Sequence, residues 1–219
     1  MGENMNLDYI IIKYTDLKLD ARYSGKFRGY IGNKYIEENL FHNHNTEGVI
    51  YRYPLVQYKI VNKTPMIIGI NEGAKVVRKI AFENEIELDN SKIQILSKEI
   101  KDEIVLIEEA DEYIHYEFLT PWIALNQKNI KEYNNSNSIE KEELLKKILI
   151  GNVISTCKGL NYTIEKQLYC WHNLKPIYVN LKNVKHVAFK GEFKINFKLP
   201  QYIGIGKSVS KGFGTIKLK

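Results

Sequence analysis

The 219-residue sequence is poor in cysteine and has no long apolar segment. Its two cysteines, Cys157 and Cys170, lack CxxC spacing, which argues against a disulfide-stapled scaffold and against a cysteine-based zinc site. No apolar run approaches the roughly 18 residues of a membrane span, and no charged-then-apolar N-terminus suggests secretion. These absences predict a cytoplasmic protein with reduced thiols and no membrane partner.

What the sequence does have is positive charge concentrated in its second half. The chain contains 32 Lys and Arg against 26 Asp and Glu, a net charge of +6. Residues 121–219 contain 17 Lys and 6 Glu, whereas residues 83–112 contain 11 acidic residues and 3 Lys. Together with 15 Tyr, whose rings can stack on bases, this asymmetry favours a nucleic-acid-binding protein. The acidic segment is interpreted as a solvated helix end and linker.

Strand and helix patterns in the first half follow the order of a ferredoxin-like domain. A β-branched and aromatic run predicts the first buried strand, and apolar residues at helical spacing predict the helices. The order strand, helix, strand, strand, helix, strand is the split βαβ arrangement of that fold. The segments are a strand at 9–14, a glycine-weakened helix at 21–31, strands at 49–60 and 66–70, a helix from Asn71 and a closing strand through Ile93 and Ile95.

The second half repeats part of this order. The pattern predicts a strand at 113–119, an Asn-rich loop at 126–138 and a helix capped by Ser138 that ends near Gly159. Strands follow at 167–172, 177–181 and 187–197, without a clear second helix. The predicted fold class is therefore α+β, with two ferredoxin-like (RNA-recognition-motif-like) domains in tandem, the second one irregular. Their predicted ranges are 1–110 and 111–219.

The most distinctive segment is glycine-rich and reads GIGKSVSKGFGTI at residues 204–216. Gln201 stands where a P-loop needs glycine, and Val209 stands where a dinucleotide fingerprint needs one. Because glycine lets backbone N–H groups approach a phosphate, we predict an RNA-binding loop, with a plain glycine-rich hairpin as the alternative. The predicted RNA contacts of this segment are Gly204, Gly206, Lys207, Ser208, Ser210, Lys211, Gly212, Phe213 and Gly214.

Three separated motifs carry a resemblance to a known family. The pattern GxGxxxxxGFGxI at the C-terminus of a double ferredoxin-like protein resembles the CRISPR repeat-processing endoribonucleases. The segments FHNH at 41–44 with YRYPLVQYK at 51–59, and FLTPWIALN at 118–126, resemble the first domain and the second-domain entry of one branch of that family. This is the type I branch with a histidine pair in the N-terminal domain.

The resemblance implies an endoribonuclease that cuts CRISPR precursor transcripts within each repeat. It implies that the glycine-rich loop grips the RNA repeat and that the products carry a 5′-hydroxyl and a 2′,3′-cyclic phosphate. CRISPR repeat RNA is the implied partner. Homodimerisation and association with a CRISPR effector complex are left open.

The residue types of the histidine pair fit this chemistry. In extended backbone His42 and His44 share one face, within reach of one phosphate. An ordinary imidazole can take or give a proton near neutral pH, and RNA supplies its own nucleophile, the 2′-hydroxyl. Neither a metal ion nor a cofactor is therefore predicted. The alternatives are a pair of metal ligands, for which HxH alone lacks a third ligand, and ordinary surface histidines.

Four further residues are predicted to support the site. Lys34 follows a glycine-containing segment eight residues before His42, and Tyr51 follows His44 by seven residues. Lys34 is predicted to stabilise phosphate charge and Tyr51 to orient a histidine or the scissile phosphate, with a structural role as the alternative for each. Arg28 and Arg52 are predicted to contact RNA phosphate, with pairing to the acidic segment as the alternative. The rival to the enzyme is a non-catalytic RNA-binding subunit that has the same fold.

Overall fold

The computed structural model describes most of the chain in full and a short stretch by its backbone alone. Fully described are residues 4–42, 53–181 and 184–219, and the backbone is described at 44–45 and 48–49. The described residues form two compact units. One contains Asn6–Val105 with Val209–Gly212, and the other is built mainly from Leu106–Ser208 and Phe213–Lys219.

The first unit has the split βαβ order of a ferredoxin-like domain. Its main sheet has the strand order β4-β5-β1-β8, and helices α1 and α3 connect these strands along the chain. Two further pairs, β2 with β3 and β6 with β7, form separate small sheets. The elements are β1 (Met5–Tyr14), α1 (Ser24–Lys34), α2 (Asn39–His42), β2 (His44–Asn45), β3 (Gly48–Val49), β4 (Val56–Val61), β5 (Thr64–Ile70), α3 (Glu72–Lys79), β6 (Glu85–Leu88), β7 (Ser91–Gln94) and β8 (Lys98–Phe118).

An aromatic core places α1, which carries Arg28 and Lys34, beside β4. Phe27 of α1 makes edge-to-face contacts with Tyr14 and Tyr58, with ring centroids 5.5 and 5.9 Å apart. All three rings are buried, as is Ile31 one turn along α1. Because such aromatic pairs add to the free energy gained by burial, the position of α1 on the sheet is tightly defined.

Two predictions for the first half are wrong. Of the residues predicted as the closing strand, Ile93 belongs to β7, which pairs with β6 through Ile86, and Ile95 follows the end of β7, whereas the fourth strand of the sheet is the start of β8. The acidic segment lies largely in β6, β7 and β8 rather than at a helix end, and it passes from the first unit to the second within β8. Its carboxylates are tolerated in strands because they pair with bases on neighbouring elements, as Glu99 does with Lys13 at 2.9 Å.

The second unit repeats the arrangement with one replacement. Its sheet has the order β9-β10-β8 with β11 on the other side of β8, which corresponds to the strand order of the first unit. The second helix of the fold is replaced by the segment between β10 and β11 that holds the glycines. Two tandem ferredoxin-like domains, the second irregular, are thus confirmed. The elements are α4 (Gln127–Asn135), α5 (Ser138–Gly159), β9 (Cys170–Leu181), β10 (Val184–Lys198) and β11 (Ile216–Leu218).

The long helix of the second unit was predicted nearly in full, but its surroundings were not. The cap of α5 is Asn137, one residue before the predicted Ser138, and it forms a capping box with Glu140. The predicted Asn-rich loop contains α4, because the side chain of Asn126 accepts hydrogen bonds from the N–H groups of Lys128 and Asn129 and starts a helix there. Local capping therefore outweighs the low helix propensity of the asparagines.

Lys59 of β4 is fully buried, which makes stability depend on pH. Burial lowers its pKa to about 7, whereas an unfolded lysine has a pKa of about 10.4. Between these two pKa values the unfolded chain binds a proton at Lys59 that the folded chain does not bind. The cost that buried Lys59 adds to folding is therefore complete below pH 7 and disappears as pH rises through about 10.4. We expect Lys59→Met to raise the free energy of unfolding at pH 7, by up to several kcal/mol. Urea unfolding at pH 7, 8.5 and 10 measures this gain, and a gain that does not shrink with pH would contradict it.

Candidate active site and RNA-binding segment

His42 is the last residue of α2 and is half-buried. Its Nε2 lies 3.1 Å from the carbonyl oxygen of Ile36. A carbonyl can only accept, so Nε2 donates, and a neutral ring then has its lone pair on Nδ1. The neighbouring Phe41 is buried and its ring lies 5.4 Å from that of Tyr35, which anchors α2 in the core. The buried neighbour and the ring hydrogen bond to Ile36 therefore help to hold the imidazole at the surface.

His44, Tyr51 and Arg52 are described less fully than His42. The backbone of His44 begins β2 and pairs with Val49 of β3. Tyr51 and Arg52 lie outside the described residues. The prediction that both histidines share one extended segment is wrong for His42, because that residue ends a helix.

Lys34 is engaged in an ion pair. Its Nζ lies 2.5 Å from Glu83, which also accepts a hydrogen bond from the Tyr35 hydroxyl at 2.6 Å. The hydrogen bond to Glu83 raises the pKa of Lys34, and the same bond lowers the pKa of Glu83. The amine also lies over the rings of Tyr30 and Tyr35, at 5.9 and 5.6 Å. Lys34 is thus a firmly charged group that a phosphate would have to share with Glu83.

Arg28 points into the protein at the end of α2. Its Nη2 donates to the carbonyl oxygen of His42 at 2.5 Å, and burial lowers the pKa of the guanidinium. The sequence pattern marked Arg28 as a phosphate contact and did not reveal this bond, because helical spacing says nothing about a partner 14 residues away.

Close packing within the protein explains Gly206 and Gly214 of the glycine-rich segment. Gly206 and Gly214 have φ values of +90° and +63°. A Cβ on Gly206 would lie 2.6 Å from Nε1 of Trp122, and one on Gly214 would lie 1.9 Å from the carbonyl oxygen of Ile205. The Gly214 N–H donates to Pro121 and the Gly212 N–H donates to Val209. These two N–H groups are therefore committed within the protein and do not form the predicted phosphate cradle.

The same segment has the backbone pairing of a hairpin, with an antiparallel bridge between Gly204 and Thr215. The groups of this segment that reach solvent are side chains. Lys207 is exposed, and its Nζ reaches the carbonyl oxygen of Leu125 at 2.9 Å. Lys211 is half-buried, and its carbonyl accepts a hydrogen bond from the Ser24 hydroxyl at 2.7 Å. The other half-exposed polar or aromatic members are Ser208, Ser210 and Phe213.

A groove of about 300 Å³ opens beside Lys207 and Ser208 in the second unit. Its other polar lining residues are Asn126, Gln127, Lys185 and His186, and the remaining lining side chains are apolar. The Lys185 amine also lies 4.1 Å from the ring centroid of an exposed tyrosine, Tyr178. Sequence reasoning missed these residues, because β9 and β10 are far from the glycines along the chain.

Two features are absent from the described part of the chain. Among its His, Cys, Asp and Glu side chains, no group of three or more is placed to hold a metal ion. Within the same residues, no helix is long and apolar enough to cross a membrane.

Comparisons with known proteins match nearly the whole chain. Models of the Cas6b N-terminal and C-terminal domains match residues 5–106 and 108–218. A crystal structure of Cas6b is 43% identical with a TM-score of 0.94, covering 98% of this chain and 100% of that one. A crystal structure of the CRISPR RNA processing endoribonuclease Cas6b is 38% identical with a TM-score of 0.81 and the same coverage.

A curated protein is also similar over part of the chain. An uncharacterized protein of Methanocaldococcus jannaschii is 46% identical over 108 residues, which are 49% of this chain and 74% of that protein. The type IV crRNA endonuclease Csf5, 10% identical with a TM-score of 0.62, shares the fold. From the two domain models and the two Cas6b structures, the chain belongs to the Cas6b family and is a CRISPR repeat-processing endoribonuclease.

Proposed function

We propose that this protein cuts CRISPR precursor transcripts within each repeat by a metal-independent reaction. A base takes the proton of the RNA 2′-hydroxyl, and the oxygen attacks the adjacent phosphorus. The bond from phosphorus to the 5′-oxygen breaks, and an acid gives that oxygen a proton. The products carry a 2′,3′-cyclic phosphate and a 5′-hydroxyl. The observation that carries this proposal is the half-buried His42 imidazole at the end of α2, two residues before His44.

The roles follow from what each group can hold or move. One histidine of the pair His42 and His44 takes the proton of the 2′-hydroxyl, and the other gives a proton to the 5′-oxygen. We assign the first role to Nδ1 of His42, because Nε2 of this ring donates to Ile36. Lys34 supplies positive charge to the phosphate, since the raised pKa keeps its amine protonated. Tyr51 orients the reacting groups.

RNA is held by the positive second half of the chain. The side chains of Lys207 and Lys211, with Ser208, Ser210 and Phe213, face the repeat, and Arg52 adds a phosphate contact in the first half. The groove beside Lys207 is lined by both apolar and polar side chains, and such a surface suits an unstacked base. The repeat RNA is the partner, and processing takes place in the cytoplasm.

Incubation of the purified protein with end-labelled repeat RNA tests this function. We expect a cut at one position and fragments whose ends are a 5′-hydroxyl and a 2′,3′-cyclic phosphate, identified by mass spectrometry. Unrelated RNA of the same length and composition is the control. Tight binding of the repeat without any cut would replace this proposal by the rival, a non-catalytic RNA-binding subunit.

Neutralising Lys207 and Lys211 together is expected to weaken binding for all RNA sequences. The dependence of log K on log salt should flatten by roughly 0.7 per lost phosphate contact on single strands. At saturating enzyme the cleavage step should stay near wild type, because these amines hold RNA and move no protons. Filter binding at several salt concentrations measures this.

A matched control neutralises two lysines outside the glycine-rich segment. Lys217 and Lys219 pair with Glu117 and Glu192. Replacing both lysines with glutamine lowers the net charge by the same amount as neutralising Lys207 and Lys211. Equal losses of affinity in the two double variants would mean that overall charge, and not this segment, holds the RNA.

A further inference from the structure

We propose that Arg28, Gly32 and Tyr58 form a seat that holds His42 in its reactive position. The three residues come from α1 and β4 and meet the end of α2. In this assignment Arg28 is a positioning residue and not an RNA contact. The inference rests on the proposed role of His42 in cleavage and names the residues that make that role possible.

Two consecutive carbonyl groups at the end of α2 receive donors from other elements. The Tyr58 hydroxyl donates to the carbonyl of Phe41 at 3.0 Å, and Arg28 donates to the carbonyl of His42 at 2.5 Å. The last carbonyls of a helix have no partner within it, and a basic side chain commonly satisfies them. Helix α2 has four residues, far fewer than an isolated helix needs, so its end depends on these external donors.

Both donors are themselves fixed. Tyr58 is fully buried, and its ring contacts Phe27 in the core. Burial also raises the pKa of its phenol, so the hydroxyl keeps the proton that it donates. Arg28 lies in the middle of α1, one turn from the buried Ile31. These two fixed donors therefore restrict where the backbone of His42 can lie.

Gly32 completes the seat through the side chain that it lacks. A Cβ at Gly32 would lie 3.2 Å from the Cβ of His42, whereas a Cβ at Gly29 or Gly25 would meet no atom within 4 Å. All three glycines weaken α1 because glycine is a poor helix former. Only Gly32, among these three, leaves room that α2 uses, and a methyl group there must push the Cβ of His42 aside, with the Phe41 carbonyl oxygen as its next neighbour at 3.9 Å.

The sharpest test compares Gly32→Ala with Gly29→Ala. Both substitutions favour the helix, and we expect neither to lower the melting temperature, with Gly29→Ala raising it by about 2–4 °C. Gly32→Ala should slow single-turnover cleavage about tenfold or more with unchanged RNA affinity, because small displacements of a catalytic group cost large factors in rate. Gly29→Ala should cut at the wild-type rate.

Arg28→Lys and Tyr58→Phe test the two donors. Lysine keeps the charge that a phosphate contact needs but cannot reach the His42 carbonyl in the same geometry. We therefore expect Arg28→Lys to bind RNA with unchanged affinity and salt dependence and to cleave about tenfold more slowly. Tyr58→Phe removes one hydroxyl and should behave alike. In a His42→Ala background neither change should slow cleavage further.

The outcomes separate the seat from the proposed function. If His42→Ala cuts at the wild-type rate, the proposed role of His42 is wrong and the seat falls with it. If His42→Ala is slow while Gly32→Ala, Arg28→Lys and Tyr58→Phe all cut normally, the proposed function stands and the seat is overturned. Weaker RNA binding in Arg28→Lys, with a normal cleavage step, would make Arg28 the phosphate contact that the sequence predicted.

Discussion

His42→Ala and His44→Ala will each slow cleavage of repeat RNA by about 10²-fold or more at saturating enzyme. General acid–base catalysis has a typical contribution of this size, and each variant leaves one proton transfer without its group. RNA affinity should change little, because the positive charge of the second half supplies most of the binding. Single-turnover rates and filter binding on the same preparations measure the two effects separately.

The rate–pH profile of the two variants also assigns the roles. The wild type should show a rising and a falling limb, since one group acts without its proton and the other acts with it. Loss of the base removes the rising limb, and loss of the acid removes the falling limb. On the proposed assignment of the base to Nδ1 of His42, the His42→Ala variant should lose the rising limb.

His115→Gln is the matched control for these histidine variants. His115 lies on β8, where its Nε2 is 2.9 Å from Glu192, and it belongs to the second unit. We expect this variant to cut at the wild-type rate. Wild-type cleavage by both His42→Ala and His44→Ala would place the active site elsewhere in the chain.

Regular periodicity and local capping explain how far the sequence predicts the fold. Leu145, Leu149, Val153 and Cys157 recur at helical spacing, and all four are buried along α5. The closing strand of the first domain was missed, because charged residues cluster at the start of β8 and are stabilised there by partners such as Arg78, which pairs with Asp102 at 2.6 Å. A pairing between residues so far apart along the chain leaves no periodic signal.

The candidate site shows the same division between local pattern and long-range contact. The motif containing His42 stands out because residue types and their order are visible in the sequence. The partners of that motif are not visible. Arg28, Gly32 and Lys34 lie within seven residues of one another on α1, yet one meets the His42 carbonyl, one makes room for its Cβ and one pairs with Glu83. Only the packing of α1 against neighbouring elements distinguishes these roles.

The glycine-rich segment shows that the sequence can reveal a tightly packed glycine without revealing what is packed against it. A glycine in a sequence signals that a side chain is excluded, and not what excludes it. We expected phosphate, whereas Trp122 and the Ile205 carbonyl occupy the space at Gly206 and Gly214. Valine at either position would strain the fold, so the RNA grip is tested through Lys207 and Lys211 instead.

A single 2′-deoxy nucleotide on the 5′ side of the scissile phosphate will abolish cleavage and leave RNA binding nearly unchanged. The proposed reaction uses the 2′-hydroxyl as its nucleophile, so removing one oxygen atom removes the reaction, while the phosphates that bind the lysines remain. The same 2′-deoxy substitution one nucleotide away is the control and should be cut at the wild-type rate.

Cleavage of unmodified repeat RNA should persist in excess EDTA for the same reason, since imidazoles perform both proton transfers. If the 2′-deoxy RNA is cut, the attacking oxygen comes from water. If, in addition, EDTA stops cleavage and Mg²⁺ or Mn²⁺ restores it, a metal ion prepares that water, and His42 and His44 are better explained as ligands of the ion than as an acid and a base. Loss of cleavage in the 2′-deoxy RNA together with full activity in EDTA is the combination that only the proposed reaction predicts.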